Sequence, residues 1–133
     1  MRRLIPALLS WALILLVGLT PLAPPALAAS VDWREVPATD DGRQWWDAGS
    51  LHLSPGGNLS VLSRFQPAGD AGKPRSPDLY VMEVDCSQKL YRDRSVNGLP
   101  RFGAQWQAPA GDGLIESVIE ASCAAGSTLL QAA

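Results

Sequence analysis

An alternating stretch between residues 78 and 94 is the feature that most constrains how this chain folds. It reads Asp-Leu-Tyr-Val-Met-Glu-Val-Asp-Cys-Ser-Gln-Lys-Leu-Tyr-Arg-Asp-Arg, and every second residue from Tyr80 to Cys86 is apolar. The positions between them become charged towards Asp85. This period of two is typical of a β-strand that is buried on one face. The sequence therefore predicts a central strand, with Cys86 at its inner end.

The second half of the stretch predicts a hairpin with this strand. A two-residue turn at residues 87–88 would place Val84 opposite Tyr91 on the core side and Glu83 opposite Arg92 on the other side. Both are favourable cross-strand pairs. Because Ser-Gln is not a strong two-residue turn, the expected register depends on the side-chain pattern.

The beginning of the chain has the pattern of a secretory signal. Arg2 and Arg3 precede an almost uninterrupted apolar run from Leu4 to Leu19, and an Ala-x-Ala sequence ends at Ala28. A basic start, an apolar run and a small-residue cleavage site are the three parts of such a leader. We expect a signal peptide at residues 1–28 and a single exported α+β domain at residues 29–133. An uncleaved anchor is the alternative, although a membrane span usually needs about 20 apolar residues.

The leader predicts an exported location, either periplasmic or at the cell surface or secreted, with membrane contact only transiently through the signal peptide. Without Arg2 and Arg3 the formal net charge changes from −2 to −4. Nucleic-acid-binding proteins usually present a basic face, so this mild acidity argues against a nucleic-acid partner. The partner is expected to be a protein or an envelope component. The sequence does not indicate its identity or the oligomeric state.

The two cysteines of the chain, Cys86 and Cys123, both follow the leader. In an oxidising compartment, an even pair in a small domain most often forms a disulfide. Closing a loop of this size would stabilise the fold by about 4 kcal/mol. Zinc binding and redox activity are weaker alternatives, because clustered ligand spacing and a Cys-x-x-Cys motif are both missing from the sequence.

Further strands are predicted in the part of the chain before the central hairpin. Short apolar or alternating segments separated by turn residues lie at residues 31–36, 43–47, 51–53 and 59–65. Asp-Gly at residues 41–42 and Ser-Pro-Gly-Gly-Asn at residues 54–58 are turn sequences. Residues 66–77 contain several Pro and Gly and predict a surface loop.

The period changes in the last part of the chain. Apolar residues recur every three or four positions between Asp112 and Gly126, which predicts an amphipathic helix with these residues as N-cap and C-terminal stop. Residues 101–113 are predicted to be irregular, with Trp106 anchored in the core. The tail at residues 127–133 is expected to be a short strand or disordered. The fold class is therefore α+β, an antiparallel sheet of about five to six strands with one C-terminal amphipathic helix packed on it.

Four residues are candidates for binding. Trp45 and Trp46 are adjacent, so an extended backbone points them to opposite faces of the sheet. One ring then belongs to the core, and the other faces a partner, solvent or a covering loop. Arg92 and Arg94 are candidates for contact with an acidic partner, because arginine pairs well with carboxylates and sulfates. Pairing within the chain, with Glu83 and Asp85, is the alternative.

Catalytic groups are sparse. His52 is the single histidine of the sequence, and no Gly-x-Ser-x-Gly elbow is present, so a nucleophile lacks a base to activate it. Asp112, Glu116 and Glu120 lie four residues apart and form an acidic stripe opposite the apolar helix face, which predicts a solvated surface. We therefore expect no enzymatic activity, no metal site and no cofactor.

Several aromatic and cysteine positions follow one another between residues 31 and 124. They are Trp33, Trp-Trp-Asp-Ala-Gly-Ser at 45–50, Val61, Tyr-Val-Met-Glu-Val-Asp-Cys at 80–86, Tyr91-Arg92, Trp106 and Cys123. This order resembles the surface-adhesin protein E-like family of small exported bacterial proteins, and the Glu-x-Asp-Cys to Tyr-Arg stretch is its most specific part. The resemblance implies an antiparallel sheet with a helix, joined by a Cys86–Cys123 bridge. In the name-giving member it implies an adhesin that binds host proteins.

The expected function is that of a non-enzymatic exported envelope or surface protein, an adhesin-like module that binds a macromolecule through its sheet face or an exposed edge. The alternative is a periplasmic carrier of a small apolar ligand between sheet and helix, suggested by the five tryptophans of the chain. A minor hydrolase is a third hypothesis.

Overall fold

The computed structural model describes residues 29–70, 72–73 and 75–133, so the predicted leader at residues 1–28 lies outside the described residues. The elements follow in the order β1 (Trp33–Glu35), β2 (Gly42–Asp47), a 3-10 turn (Ala48–Ser50), β3 (His52–Leu53), β4 (Leu59–Pro67), β5 (Asp78–Asp85), β6 (Leu90–Val96), β7 (Leu99–Pro100), α1 (Gly113–Ala125) and α2 (Ser127–Gln131). In this part of the chain, no helix is long and apolar enough to cross a bilayer.

The described strands form one antiparallel sheet in the order β1-β2-β4-β5-β6-β7. β3 pairs with the first two residues of β4, whereas β2 pairs with residues 63–67, so β2 and β3 share one edge of β4. The predicted fold class is confirmed, an antiparallel sheet with a C-terminal helix. The sheet extends slightly beyond the predicted five to six strands, because Asn97 and Gly98 adopt positive φ and fold Leu99–Pro100 back as a hairpin.

The core lies between the sheet and α1, on the side called here the covered face. Alternate residues of β4 and β5 point to this side, as the period of two predicted, and the fully buried apolar side chains include Leu59, Val61, Met82, Val84, Leu114 and Val118. Trp46 of β2 joins the same cluster. The alternation therefore decides which side of the sheet receives the helix.

Both predicted ends of α1 are confirmed. The Asp112 carboxylate accepts hydrogen bonds from the backbone N–H groups of Leu114 and Ile115 at 3.1 Å, which satisfies two free donors of the first turn. At the other end, a Cβ on Gly126 would lie 2.6 Å from the Leu59 side chain, so glycine permits close packing there. The tail is neither strand nor disordered, because Ser127–Gln131 continues as α2.

The predicted register of the central hairpin is confirmed, with Val84 opposite Tyr91 and Glu83 opposite Arg92. The connection differs, since four residues, Cys86–Lys89, separate the last paired residues of β5 and β6. The Asp85 carboxylate accepts hydrogen bonds from the backbone N–H groups of residues 87 and 88 and organises this longer turn.

A β-bulge interrupts the same hairpin further along. Met82 pairs with Asp93 whereas Val81 pairs with Ser95, so Arg94 is an extra residue of β6. Such a bulge turns side chains away from the regular alternation. Asp93 lies before the bulge and keeps the regular alternation of β6, which places it on the covered face, opposite the buried Met82. From Ser95 onwards the side chains change faces.

The predicted disulfide between Cys86 and Cys123 is present, with a Cα–Cα distance of 5.8 Å. It joins the turn after β5 to the second half of α1. The helix is therefore held on the covered face by both apolar packing and a covalent bond.

The Trp-Trp-Asp-Ala-Gly-Ser segment connects β2 to β3, and hydrogen bonds of its side chains fix the path of this connection. The buried Asp47 carboxylate accepts from the backbone N–H groups of Asp32 and Gly49, at 2.7 and 2.9 Å. The Ser50 hydroxyl accepts from the backbone N–H of Leu62 at 2.9 Å. A side chain at Gly49 would collide with the carbonyl oxygen of Ser30. These residues thus position the strand that carries Trp45.

Candidate functional site

The side of the sheet opposite α1, called here the open face, is the candidate binding surface. It carries side chains from β1, β2, β4, β5 and β6 and from the loop before α1. Its members include Trp33, Glu35, Arg43, Trp45, Leu62, Arg64, Leu79, Val81, Glu83, Arg92, Arg94 and Trp106. Among the described residues, no helix packs on this side.

The two adjacent tryptophans separate as predicted. Trp46 is 4% exposed and belongs to the core, whereas Trp45 is half-buried on the open face. Trp46 therefore has no surface to offer a partner in this structure. Trp45 is the member of the pair that remains in the candidate site.

Trp45 belongs to an alternating stack of aromatic rings and guanidinium groups, called here the tryptophan–arginine ladder and defined as Trp33, Arg64, Trp45 and Arg43. The guanidinium carbon of Arg64 lies 4.5 Å from the Trp45 ring centre and 5.1 Å from that of Trp33. That of Arg43 lies 4.8 Å from Trp45. Each contact is within the range of a cation–π interaction, worth about 0.5–1 kcal/mol at an exposed site.

The two arginines of the ladder differ in their carboxylate partners. Arg43 donates to both carboxylate oxygens of Glu35, at 2.6 and 2.8 Å, and this bond lowers the pKa of Glu35. Arg64 has no carboxylate within 4.0 Å in the part of the chain that the structure describes. The Arg64 guanidinium is thus positioned by two aromatic rings, and its positive charge has no carboxylate partner among the described residues.

A second cluster, called here the Glu83 cluster, lies at the opposite corner of the open face and consists of Glu83, Arg92, Ser54 and Trp106. Glu83 is 5% exposed, accepts from Arg92 Nε at 2.9 Å and from the Ser54 hydroxyl at 3.0 Å. Burial raises the pKa of Glu83, but the hydrogen bonds from Arg92 and Ser54 outweigh it, so the pKa lies below its ordinary value. The alternative of pairing within the chain is realised for Arg92.

Trp106 belongs to this cluster and not to the core. The guanidinium carbon of Arg92 lies 4.3 Å from the Trp106 ring centre, on the open face. The prediction that Trp106 is anchored in the core is therefore wrong. The irregular segment before α1 runs along β6, where Tyr91 and Gln107 exchange backbone hydrogen bonds, and this path brings the ring over Arg92.

Of Arg92 and Arg94 at this corner, Arg94 is the more accessible to a partner. Its side chain is 50% exposed and its single ion-pair contact among the described residues, with Glu83, is long at 3.8 Å. Arg94 and His52 line a groove of about 370 Å³ beside the Glu83 cluster. The exposed His52 ring places Nδ1 2.7 Å from the carbonyl oxygen of Ser50.

An apolar strip separates the two corners. Leu62 and Val81 are half-buried there, and Leu79 is 40% exposed. From the pairing register, Arg64 and Arg92 are two strands apart and four residues apart along β5. Standard strand spacings then put their backbones roughly 16 Å apart. The open face is therefore long enough for an extended ligand to contact both corners.

Two features of this surface were not singled out from the sequence. Arg64 and Trp33 became part of the site because β1, β2 and β4 are neighbours, and this strand order is not visible in the pattern. A signal for Arg64 existed, since it alternates with Leu59, Val61 and Phe65 and so had to face away from the core.

The described residues offer little for catalysis by a metal. In residues 29–70, 72–73 and 75–133, no three His, Cys, Asp or Glu side chains are grouped so that they could hold a metal ion. The acidic residues Glu116 and Glu120 of α1 are exposed, as the stripe predicted.

Comparison with known proteins assigns the family. A family model described as the surface adhesin-E family matches residues 34–129, and the chain belongs to that family. No curated protein and no solved structure matches the chain significantly. The matched range contains both cysteines, the Glu83 cluster and all members of the tryptophan–arginine ladder except Trp33. Family membership indicates an adhesin-like surface protein.

Proposed function

We propose that this member of the surface adhesin-E family is a non-enzymatic binding module that holds a macromolecule on its open face. The observation that carries the proposal is the tryptophan–arginine ladder, which lies partly exposed on the side of the sheet that α1 does not cover. Tryptophan and arginine are the residues that most often dominate the energy of protein interfaces. Location outside the cytoplasm, in the periplasm or at the cell surface, is part of the proposal and is supported by the family and the disulfide.

The charge of the open face favours an acidic partner. Among its members are four arginines and two glutamates, although the whole chain has a formal net charge of −2. Of the four arginines on the open face, Arg64 and Arg94 are the two without a short carboxylate contact among the described residues. Carboxylate or sulfate groups of a partner would complete their pairing, because the planar guanidinium matches both groups.

The ladder also prepares the arginines for binding. A free arginine loses side-chain entropy when a ligand immobilises it, and this loss reduces affinity. Arg64 is already held between Trp33 and Trp45. Less entropy is then lost on binding, while Leu62, Val81 and Leu79 supply apolar surface between the two corners. The proposed ligand is therefore extended, acidic at intervals and partly apolar.

The test is a binding measurement on the purified protein against immobilised envelope and matrix components, including heparin as a sulfated polymer and an acidic protein. For a component that binds, we expect Arg64→Glu to reduce affinity at least tenfold, because it reverses the unpaired charge of the ladder. Trp45→Ala should weaken the same binding by releasing Arg64.

The matched control is Arg101→Glu, the same charge reversal at an exposed position outside the open face. It should change affinity less than twofold, and circular dichroism should show all three variants folded. Equal binding by wild type and Arg64→Glu, or no binding of the wild type to any component, would lead us to abandon the proposal.

A further inference from the structure

A groove of about 580 Å³ opens on the covered face, where the first turn of α1 leaves the end of the sheet uncovered. Its walls include the aromatic and apolar side chains Phe65, Tyr80, Met82, Tyr91 and Ile115. The predicted carrier of a small apolar ligand would use this space between sheet and helix. The charged residues that line the groove, however, indicate a different ligand.

Asp93 is the unusual residue of this groove. It projects from β6 at the position opposite Met82, which is 1% exposed, because the regular alternation of β6 from Tyr91 places it on the covered face. Its carboxylate is half-buried and has neither a hydrogen bond nor an ion pair in the described part of the chain. Burial raises the pKa of Asp93, and Arg101 opposes this only partly. A carboxylate in this position costs stability unless something binds it.

The surroundings of Asp93 are negative and aromatic. Three more carboxylates line the groove, those of Asp41, Asp78 and Asp112, against the single guanidinium of Arg75 among the lining residues described. Burial raises the pKa of Tyr80 and Tyr91, and the charge of Asp93 adds to both effects. Carboxylates beside aromatic faces are the surroundings that stabilise an organic cation.

We propose that the groove binds an alkylammonium group, with the charged nitrogen at Asp93 between Tyr80 and Tyr91 and the alkyl chain against Phe65 and Met82. The ammonium would give the Asp93 carboxylate the partner that it lacks. The apolar walls suit a hydrocarbon chain better than a hydrated metal ion, and the described carboxylates are not grouped for metal coordination. This site lies on the other side of the sheet from the open face and does not depend on the proposed function.

Titration calorimetry of the purified protein at pH 7 tests the site with n-hexylammonium and with a peptide of sequence Gly-Lys-Gly blocked at both ends. Both probes present an alkylammonium group. In the first it belongs to a small free amine, and in the second to a lysine side chain of a peptide. We expect saturable binding of at least one probe, at least tenfold tighter than that of neutral 1-hexanol. The tighter probe identifies the source.

Asp93→Asn should weaken this binding at least tenfold, and the matched control Glu120→Gln, an exposed carboxylate of α1, should leave it unchanged. A second measurement separates binding from a structural role. Because the folded-state pKa of Asp93 is raised, its charge costs stability above the ordinary Asp pKa, and Asp93→Asn should raise Tm at pH 7 by about 2–4 °C.

Addition of the amine should raise the Tm of the wild type more than that of Asp93→Asn. The proposal is overturned if hexanol binds as well as hexylammonium, if Asp93→Asn binds either amine as the wild type does, or if neither amine binds. A lower Tm for Asp93→Asn would instead assign the carboxylate a structural role.

Discussion

The covered face and the open face are made by the same strands and yet are held together by different interactions. On β5, Met82 is fully buried under α1. The next residue, Glu83, is buried on the other side, where Arg92 and Ser54 hydrogen-bond its carboxylate and Trp106 stacks on Arg92. The covered face is stabilised by apolar area and a disulfide. The open face is stabilised by stacked rings and ion pairs.

The difference follows from having one helical layer for a sheet with two sides. A sheet face without a second layer leaves its large side chains in contact with water. Arginine covers Trp45 and Trp33 here, because its planar guanidinium stacks on a ring while it stays partly hydrated. We infer that stability is concentrated on the covered face, whereas the open face is left free to bind.

Removal of the disulfide should have the largest effect on the stability of the fold. We expect the Cys86→Ser, Cys123→Ser double variant to lose about 4 kcal/mol in the free energy of unfolding, because the cross-link closes a loop with a sequence separation of 37 residues. Denaturant titration measures the loss. A difference below about 1 kcal/mol would show that apolar packing alone holds α1 on the sheet.

Substitutions of two neighbouring residues, one on each face, compare the contributions of the two faces to stability. Met82→Ala should cost about 3 kcal/mol, because the buried side chain leaves a cavity under α1. Val81→Ala on the open face should cost about 1 kcal/mol or less, since the half-buried side chain leaves its space to water. Equal losses in denaturant titration would contradict the assignment of stability to the covered face.

Loss of Arg92 should have a smaller effect that depends on pH. Arg92→Ala leaves the buried carboxylate of Glu83 without its closest partner and should cost about 2 kcal/mol at pH 7. Because the folded-state pKa of Glu83 is lowered, this stabilisation is present above the ordinary Glu pKa and is lost as the pH falls through the lowered value.

The difference in unfolding free energy between wild type and Arg92→Ala should therefore shrink when the titration is repeated at pH 3. Arg94→Ala is the control, because its contact with Glu83 is long and its side chain half exposed, and it should change stability by less than about 0.5 kcal/mol. A loss for Arg92→Ala that does not change with pH would exclude the ion pair as its cause.

Local patterns predicted much of this fold. The period of two from Tyr80 to Cys86 predicted the correct register of the hairpin, and Asp112 and Gly126 were correctly identified as the ends of α1. These features depend on neighbours in the sequence, on the alternation of a strand and on the free N–H groups of a helix start. The disulfide was predicted from the parity of the cysteines and the expected compartment, without any geometry.

One error occurred where distant segments meet, and two features were missed in short local segments. Trp106 was assigned to the core as the anchor of an irregular segment, but the path of this segment along β6 brings the ring to Arg92. Asn97 and Gly98, which adopt positive φ and form a hairpin turn, were not recognised as the connection to a further strand. The tail folded as α2, a segment too short to show a helical period by itself.

The sequence by itself determined which side chains are inside, because burial follows from alternation along each strand and from spacing along the helix. Tertiary structure alone decided what the open side contains, because the order of the strands places Trp33, Trp45 and Arg64 in one stack and Arg92 under Trp106. It also decided the faces of Ser95 and Val96, since the bulge at Arg94 reverses the alternation of the residues that follow it. Contacts across strands depend on neighbours that are far apart in the chain, and the pattern of one segment contains no information about them.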